Sequence, residues 1–299
     1  MEPIGNGGRD CALVLGATGM LGHELVQRFA AVYDVHATVR NPAAAQAHGL
    51  PAALHRLDAF DVQPLRSLLE RVAPRVVVNC IGIVKQLEEG SQPIPTITVN
   101  ALLPHYVASA VAEMRARLIH VSTDCVFSGN LPLERAYTED DLPDARDLYG
   151  RTKLLGEVGA PALTVRTSII GWELTRATGL LGWFASQSGM SVQGFTRAIF
   201  SGLTTRALAD VLLEVSLRFP DLAGLYHVSA EPISKYELLK MLDKRLRVDA
   251  EISPVDDPVI NRALDSSRFR AATGIEIPSW DEMLDAYLTT DRSPHEAPA

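Results

Sequence analysis

The chain has 299 residues, with 28 Lys and Arg against 36 Asp and Glu, for a formal charge of −8. Hydrophobic residues make up 47% and charged residues 21%, which fits about one to two globular domains and excludes a disordered chain. The acidic balance argues against a general nucleic-acid binder, although a small anionic ligand needs only a local pocket of donors.

Taken in chain order, the first half alternates short apolar runs with helical patterns. The continuous apolar run CALVL over 11–15 predicts a strand buried on both faces. Apolar positions at helical spacing, among them Leu21, Leu25, Val26 and Phe29, predict a helix over 20–31. Strands are then expected over 34–39, 53–57 and 75–79, with a helix over 62–72. A longer helix is expected over 96–115, weakened by Pro104 near its middle. A strand over 118–122, a helix over 149–158 and a strand over 163–167 follow. This alternation predicts an α/β fold with a doubly wound parallel sheet and right-handed crossovers. After Thr167 the pattern changes, with frequent Gly, Ser and aromatic residues up to Phe200. A helix over 205–217, a strand over 224–228 and a helix over 234–246 come next. The expected division is a dinucleotide-binding Rossmann domain over 1–170 and a smaller substrate-binding lobe over 171–299. Some segments of that lobe are expected to return to the sheet.

Cys11, Cys80 and Cys125 form no CxxC pair, and none sits near a His at metal-ligand spacing. No metal site is therefore expected, and the thiols suit a reducing, cytoplasmic compartment. No stretch approaches the roughly 20 apolar residues of a membrane helix, so no membrane association is expected. MEPIGNGGRD carries no hydrophobic signal region and reads as a mobile leader; DRSPHEAPA after Thr290 reads as equally loose.

Gly16-Ala17-Thr18-Gly19-Met20-Leu21-Gly22 follows the first strand and opens the first helix. Glycines permit the tight turn and let the backbone approach a pyrophosphate, and the helix N-terminus favours its charge. Gly16, Thr18, Gly19, Met20, Leu21 and Gly22 are thus candidate cofactor contacts. An acidic residue at the end of the second strand would select NAD, but Asp34 sits at its start and Arg40 follows its end. NADP is therefore favoured over NAD, with Arg40 on the extra phosphate; the alternative is a solvated surface Arg. Asp58, after the third strand, could accept from the adenine amino group or simply start a helix.

Tyr149 and Lys153 are four apart on a predicted helix and share a face. A nearby ammonium would lower the phenol pKa, so that Tyr149 could exchange a proton with a carbonyl oxygen. Thr123, in Ser122-Thr123-Asp124 at the end of the fifth strand, could donate a second hydrogen bond to that oxygen.

The motifs GATGMLG, VSTDCVFSG, YGRTKLLGE and VRTSIIG, in this order and spacing, resemble the extended short-chain dehydrogenase/reductase superfamily. Within it the chain is most similar to the dTDP-4-dehydrorhamnose reductase family of sugar-nucleotide reductases. The likeness continues more weakly through GLTTRALAD, GLYHVSA, SKYELLKML and LDSSRFRAATG. It implies a catalytic triad of Thr123, Tyr149 and Lys153, a nucleotide-sugar substrate, and a role in nucleotide-sugar or cell-surface polysaccharide biosynthesis. Lys153 would also hold the nicotinamide ribose. Ser122, Cys80, Ile81 and Gly82 would lie against the cofactor, and Ser168 and Ile169 would pass the nicotinamide. Asn100 falls where the family carries a structural Asn.

Departures from that pattern mark the substrate side. Cys125 replaces an aromatic residue usual in the family, so Asp124 and Cys125 are candidate substrate contacts in an altered sugar pocket. The segment over 83–87 also departs from the pattern. Lys85, within it, could meet a substrate phosphate or hydroxyl, or could be a surface Lys beside Glu88 and Glu89. Trp172, Trp183 and Phe184 could stack on a base or sugar, or form the core of the small lobe. Arg206 could clamp a substrate pyrophosphate or form a salt bridge at a helix start; Arg262 and Arg268 are weaker candidates. Cys125, where related dehydratases carry a second carboxylate, disfavours dehydration. A sugar-nucleotide epimerase and a non-catalytic dinucleotide-binding regulatory subunit stay open as alternatives, and so does a homodimer.

Overall fold

A computed structural model describes residues 8–85 and 87–290. Most of the leader, Gln86 and the segment after Thr290 lie outside the described residues. In chain order the first half contains β1 (Cys11–Leu15), α1 (Gly22–Phe29), β2 (Asp34–Val39), α2 (Pro42–Gln46), β3 (Ala53–Arg56), α3 (Gln63–Val72) and β4 (Val76–Asn79). Then come α4 (Pro93–Ile97), a π turn (Thr98–Leu102), α5 (Leu103–Glu113), β5 (Arg117–Val121), α6 (Leu148–Leu155) and β6 (Leu163–Arg166). The second half is finer grained: β7 (Ile169–Ile170), α7 (Leu180–Ala185), β8 (Ser191–Phe195), β9 (Ala198–Phe200), β10 (Leu203–Thr204) and α8 (Thr205–Arg218). It continues with β11 (Gly224–His227), β12 (Ile233–Ser234), α9 (Lys235–Leu246), β13 (Glu251–Val255), β14 (Ile260–Asn261), α10 (Ser267–Thr273) and α11 (Trp280–Thr290).

The central sheet has seven strands in the order β11-β6-β5-β4-β1-β2-β3, and every pairing in it is parallel. This is the doubly wound fold that the β-α alternation predicts. Strand order reverses between β1 and β4, and ligands bind outside the carboxyl ends of the strands at such a point. β11, from the second half, hydrogen-bonds β6 with Gly224 opposite Leu163, so the chain returns to the sheet after leaving it.

Side chains alternate across the strands and bury both faces. Leu13, Leu15, Val77 and Leu118 meet α3 and α5 through Leu65, Leu69, Leu103 and Val107. On the other face Ala12, Val14, Val78 and Ile119 meet α1 and α8 through Leu25, Phe29, Leu208 and Leu212. That second cluster runs on into the second half of the chain through Trp172, Phe184, Phe200, Trp280 and Tyr287. Among the described residues no helix is long and apolar enough to cross a membrane.

The long helix expected over 96–115 begins at Pro93 and is broken into an α-π-α run. Pro104 has no N–H to return to the carbonyl four residues back. The ladder slips, and the Leu103 N–H reaches the Thr98 carbonyl five residues away.

The second half holds three small sheets: β10 with β7, β13 with β8, and β12-β9-β14. Several of these strands are two residues long, too short for any periodicity to announce them.

Candidate active site

The glycine turn sits where the sheet reverses. Gly16 has φ of +90°, a left-handed conformation that L side chains avoid. Its N–H donates to Thr38 Oγ1 at 3.2 Å, tying the turn to β2. A β-carbon at Gly22 would run into the Gly16 carbonyl oxygen, so only glycine lets α1 start this close to the turn. This cradle is the one a pyrophosphate needs, with Thr18, Gly19, Met20 and Leu21 along it. The residues present therefore fit a dinucleotide.

Arg40 lies immediately past β2, exposed and without a hydrogen bond or ion pair among the described residues. It is free to take a phosphate. Asp58 is exposed, and its Oδ1 accepts from the Phe60 N–H at 3.0 Å. That bond closes a local turn, and α3 begins only at Gln63, so Asp58 does not start a helix. In the loop after β4, Ile81 packs against Gly16 and Cys80 donates its thiol to the Leu15 carbonyl at 2.9 Å. Burial pushes the Cys80 thiol up to about 12, so it is an inert wall. Gly82 faces Asn100. Asn100, on the π turn, holds this loop with both ends of its amide: Oδ1 accepts from the Ile83 N–H and Nδ2 donates to the Ile83 carbonyl, each at 2.8 Å.

Asp147 caps α6, accepting from the Gly150 N–H at 2.9 Å. The first turn of that helix presents Tyr149, and the next presents Lys153. Lys153 is buried, and its Nζ donates to the Val121 carbonyl at the end of β5, 2.8 Å away. Burial lowers its pKa to about 8, with Glu157 and the Cys80 thiol pulling the other way. The expected lowering of the Tyr149 pKa by this ammonium is not what the structure gives. Burial raises it, as do Cys125, Asp124 and Asp147, and only a hydrogen bond with Thr123 opposes them. Lys153 is turned to the strand carbonyl instead, and Tyr149 stays a protonated phenol.

Thr123 Oγ1 accepts from the Cys125 N–H at 3.1 Å and donates to Asp124 Oδ1 at 3.2 Å. Asp124 is buried, and its pKa rises for that reason against the pull of Arg262, Cys125, Lys235 and Thr123. Burial likewise takes the Cys125 thiol up to about 12. Lys85 bridges to Asp147 Oδ2 at 2.9 Å and lies 5.6 Å from the centre of the Tyr149 ring. It therefore stands at the site rather than pairing with Glu88 or Glu89.

Other expected contacts lie elsewhere. Ser122 is buried and gives its hydroxyl proton to Glu157 at 2.7 Å, not to a cofactor. Glu157 also holds Arg166 through two bonds of 2.8 Å. Trp172 is core, 3% exposed, and its backbone N–H donates to the Tyr287 hydroxyl, so the core alternative describes it better than a cap. Phe184 is buried and Trp183 partly exposed on α7. Arg206 is engaged by Glu24 at 3.6 Å and by the Ala286 carbonyl at 3.0 Å, so the salt-bridge alternative describes it better than a pyrophosphate clamp. Arg268 pairs with Asp140 and Glu139. Ser168 and Ile169 lead into β7, where the Ser168 carbonyl accepts from the Leu203 N–H.

Two features escape the sequence reading. Cys11, Asp34 and His36 place ligand atoms within 4.8 Å of one another, because β1 and β2 pair Cys11 with Asp34. Spacing along the chain cannot show this. The cluster sits at the amino ends of the strands, away from the glycine turn. His36 Nδ1 lies 2.8 Å from His55 Nε2, and burial lowers both pKa values, so the imidazoles stay neutral. The second feature is Lys235, whose ammonium lies 3.7 Å from the centre of the Phe200 ring. In the sequence Lys235 stands out only as part of SKYELLKML and of the helix expected over 234–246.

Comparison with known proteins follows this geometry. The family model described as RmlD substrate binding domain matches residues 11–293. The chain is 26% identical over 275 residues to the methionine adenosyltransferase 2 subunit beta of Xenopus tropicalis, covering 83% of this chain and 76% of that protein. It is 37% identical over 145 residues to the dTDP-4-dehydrorhamnose reductase of Streptomyces griseus, covering 48% of this chain and 43% of that protein. The solved dTDP-4-dehydrorhamnose reductase of Bacillus anthracis, in complex with NADP, is similar with a TM-score of 0.79 at 20% identity. That match covers 95% of this chain and 100% of that one, and the likeness is one of fold.

Proposed function

Because the chain belongs to the family of the RmlD substrate binding domain, matched over 11–293, we propose that it is an NADP-dependent reductase of a nucleotide-linked keto sugar. The observation that carries this reading is the hydrogen bond between Tyr149 and Thr123 beyond β5, with Lys153 four residues further along α6 and anchored on the Val121 carbonyl that ends the same strand. The chemistry resembles that of dTDP-4-dehydrorhamnose reductases and belongs in nucleotide-sugar or cell-surface polysaccharide biosynthesis. A bound nicotinamide dinucleotide supplies the hydride.

The protein's own groups manage the proton. Tyr149, its pKa raised, carries a proton at neutral pH and gives it from its hydroxyl to the sugar oxygen as charge grows there. Thr123 steadies the phenol oxygen, and Asp124 fixes the rotamer of Thr123. Lys153, anchored on Val121, offers its charge to the nicotinamide ribose. Arg40 takes the cofactor's extra phosphate, and Gly16 to Gly22 hold the pyrophosphate.

The test is NADPH oxidation with a dTDP-4-keto sugar. Tyr149→Phe is expected to lose about 10³-fold in turnover while NADPH affinity stays the same. A second reading has its own support: the likeness to methionine adenosyltransferase 2 subunit beta covers more of the chain than the likeness to the Streptomyces griseus reductase. In that reading the chain binds the dinucleotide and serves as a subunit of another enzyme. Tight NADPH binding with no turnover of any keto sugar would select it.

A further inference from the structure

We infer that Lys235 is a substrate-binding residue that takes an anionic oxygen of the nucleotide sugar, phosphate or ring carboxylate, beside Asp124 and Arg262. This rests on the nucleotide-sugar reading above.

The small sheet β12-β9-β14 does the placing. Ser234 pairs with Ile199, and Asn261 pairs with Ile199 from the other side. The residues that follow, Lys235 and Arg262, are thereby brought together around Phe200. Arg262 ties this sheet to the loop after Thr123: its Nε donates to the Phe127 carbonyl at 3.0 Å and its Nη2 to the Ser128 carbonyl at 3.2 Å. Both cations then act on the buried carboxylate of Asp124, next to Thr123 and Tyr149.

Nothing in the fold uses the ammonium of Lys235. Among the described residues it makes no hydrogen bond and no ion pair within 4.0 Å, and it lies over the Phe200 ring, 3.7 Å from the centre. That ring is 4% exposed and braced by Trp280 at 5.4 Å, so the lysine has a fixed platform. Lys235 is also the first residue of α9. A cation at the amino end of a helix opposes the helix dipole, so capping does not explain it. Burial works against its charge as well.

Local charge balance points the same way. Lys85 is already matched by Asp147 at 2.9 Å, and Arg262 directs two of its donors at neutral carbonyls. Arg262 acts on Asp147 as well as on Asp124, so three cations, Lys85, Lys235 and Arg262, face these two carboxylates, which leaves a positive surplus within a chain of charge −8. An anionic substrate oxygen would complete the hydrogen bonds that Lys235 lacks.

The experiment titrates dTDP, dTDP-glucose and dTDP-glucuronate into the NADPH-loaded protein, wild type and Lys235→Met, by calorimetry. We expect Lys235→Met to weaken binding about tenfold or more, with NADPH affinity and melting temperature unchanged. Lys235→Arg is expected to recover most of the loss. A loss shared by all three probes assigns the contact to phosphate, and a loss confined to dTDP-glucuronate assigns it to carboxylate. Equal binding of every probe by both proteins overturns the assignment. So does a loss accompanied by weakened NADPH binding or not rescued by Lys235→Arg, since that marks a structural role. If Lys235→Met does not fold, Lys235→Gln is read by the same criteria. Wild-type protein that holds NADPH but binds none of the probes overturns the nucleotide-sugar reading itself, and this assignment with it.

Discussion

The glycine turn and the proposed substrate side of the site are built on different principles. At the cofactor end one local stretch, Gly16 to Gly22, makes the turn, starts the helix and shapes the cradle. Its tightness comes from backbone on backbone. At the substrate end nothing local suffices. Lys235, Phe200 and Arg262 come from three separate segments, joined by strands of two or three residues. A motif can therefore specify the first region, while only long-range pairing specifies the second. Substitutions at the cofactor end should act sharply and through single atoms. Those at the substrate end should act through affinity for one ligand.

The largest effect expected falls between the two regions. Glu157 takes three bonds, two from buried Arg166 and one from Ser122. Glu157→Gln leaves Arg166 charged without its partner and should cost about 3–5 kcal/mol in denaturant unfolding; a cost under about 1 kcal/mol would show the pair to be dispensable. Gly22→Ala comes next. The new methyl group must displace the Gly16 carbonyl, at about 1–3 kcal/mol of stability, and dinucleotide binding should fall with it. Unchanged binding would show that the cradle is softer than its packing implies. Arg40→Ala should weaken NADPH about tenfold and NADH hardly at all, as read by fluorescence titration. Equal effects on both cofactors would remove Arg40 from the phosphate.

The smallest effect is a pH dependence. Lys153 has its pKa lowered from 10.5 to about 8 in the fold, mainly by burial. The unfolded chain binds that proton more readily, so the penalty on the folded state is fully present below about pH 8. It is relieved as pH rises towards 10.5. Lys153→Met removes the penalty together with the Val121 hydrogen bond, two changes that oppose each other at neutral pH. Melting temperatures of the two proteins should shift relative to each other between about pH 8 and pH 10, with wild type gaining on the variant as pH rises. A constant gap would mean that Lys153 titrates normally.

Much of the sheet was legible in the sequence, and the reason is its burial on both faces. CALVL and DVHATV read as strands because a strand buried on both faces shows as a short, mainly apolar run between turn signals, and β1 and β2 match them residue for residue. The glycine turn was legible because its constraint is local. Trp172 and Arg206 show the limit. Composition marks an aromatic or a cation as useful, but whether it meets a ligand or the core depends on α11, which supplies Tyr287 to one, 115 residues downstream, and the Ala286 carbonyl to the other, 80 residues downstream. The pKa of Tyr149 was misjudged for a similar reason. Helical spacing puts Lys153 on its face, but the Val121 carbonyl decides where the ammonium goes.

The return of β11 to the edge of β6 has a consequence for how the molecule comes apart. The strand that closes the sheet is synthesised after the small lobe has begun, and the apolar cluster on that face continues from Val14 to Trp280. Cutting the chain near residue 170 would strip β6 of its neighbour and leave an open edge. The two halves should therefore share one cooperative melting transition, and calorimetry should record a single peak that NADPH moves as a whole.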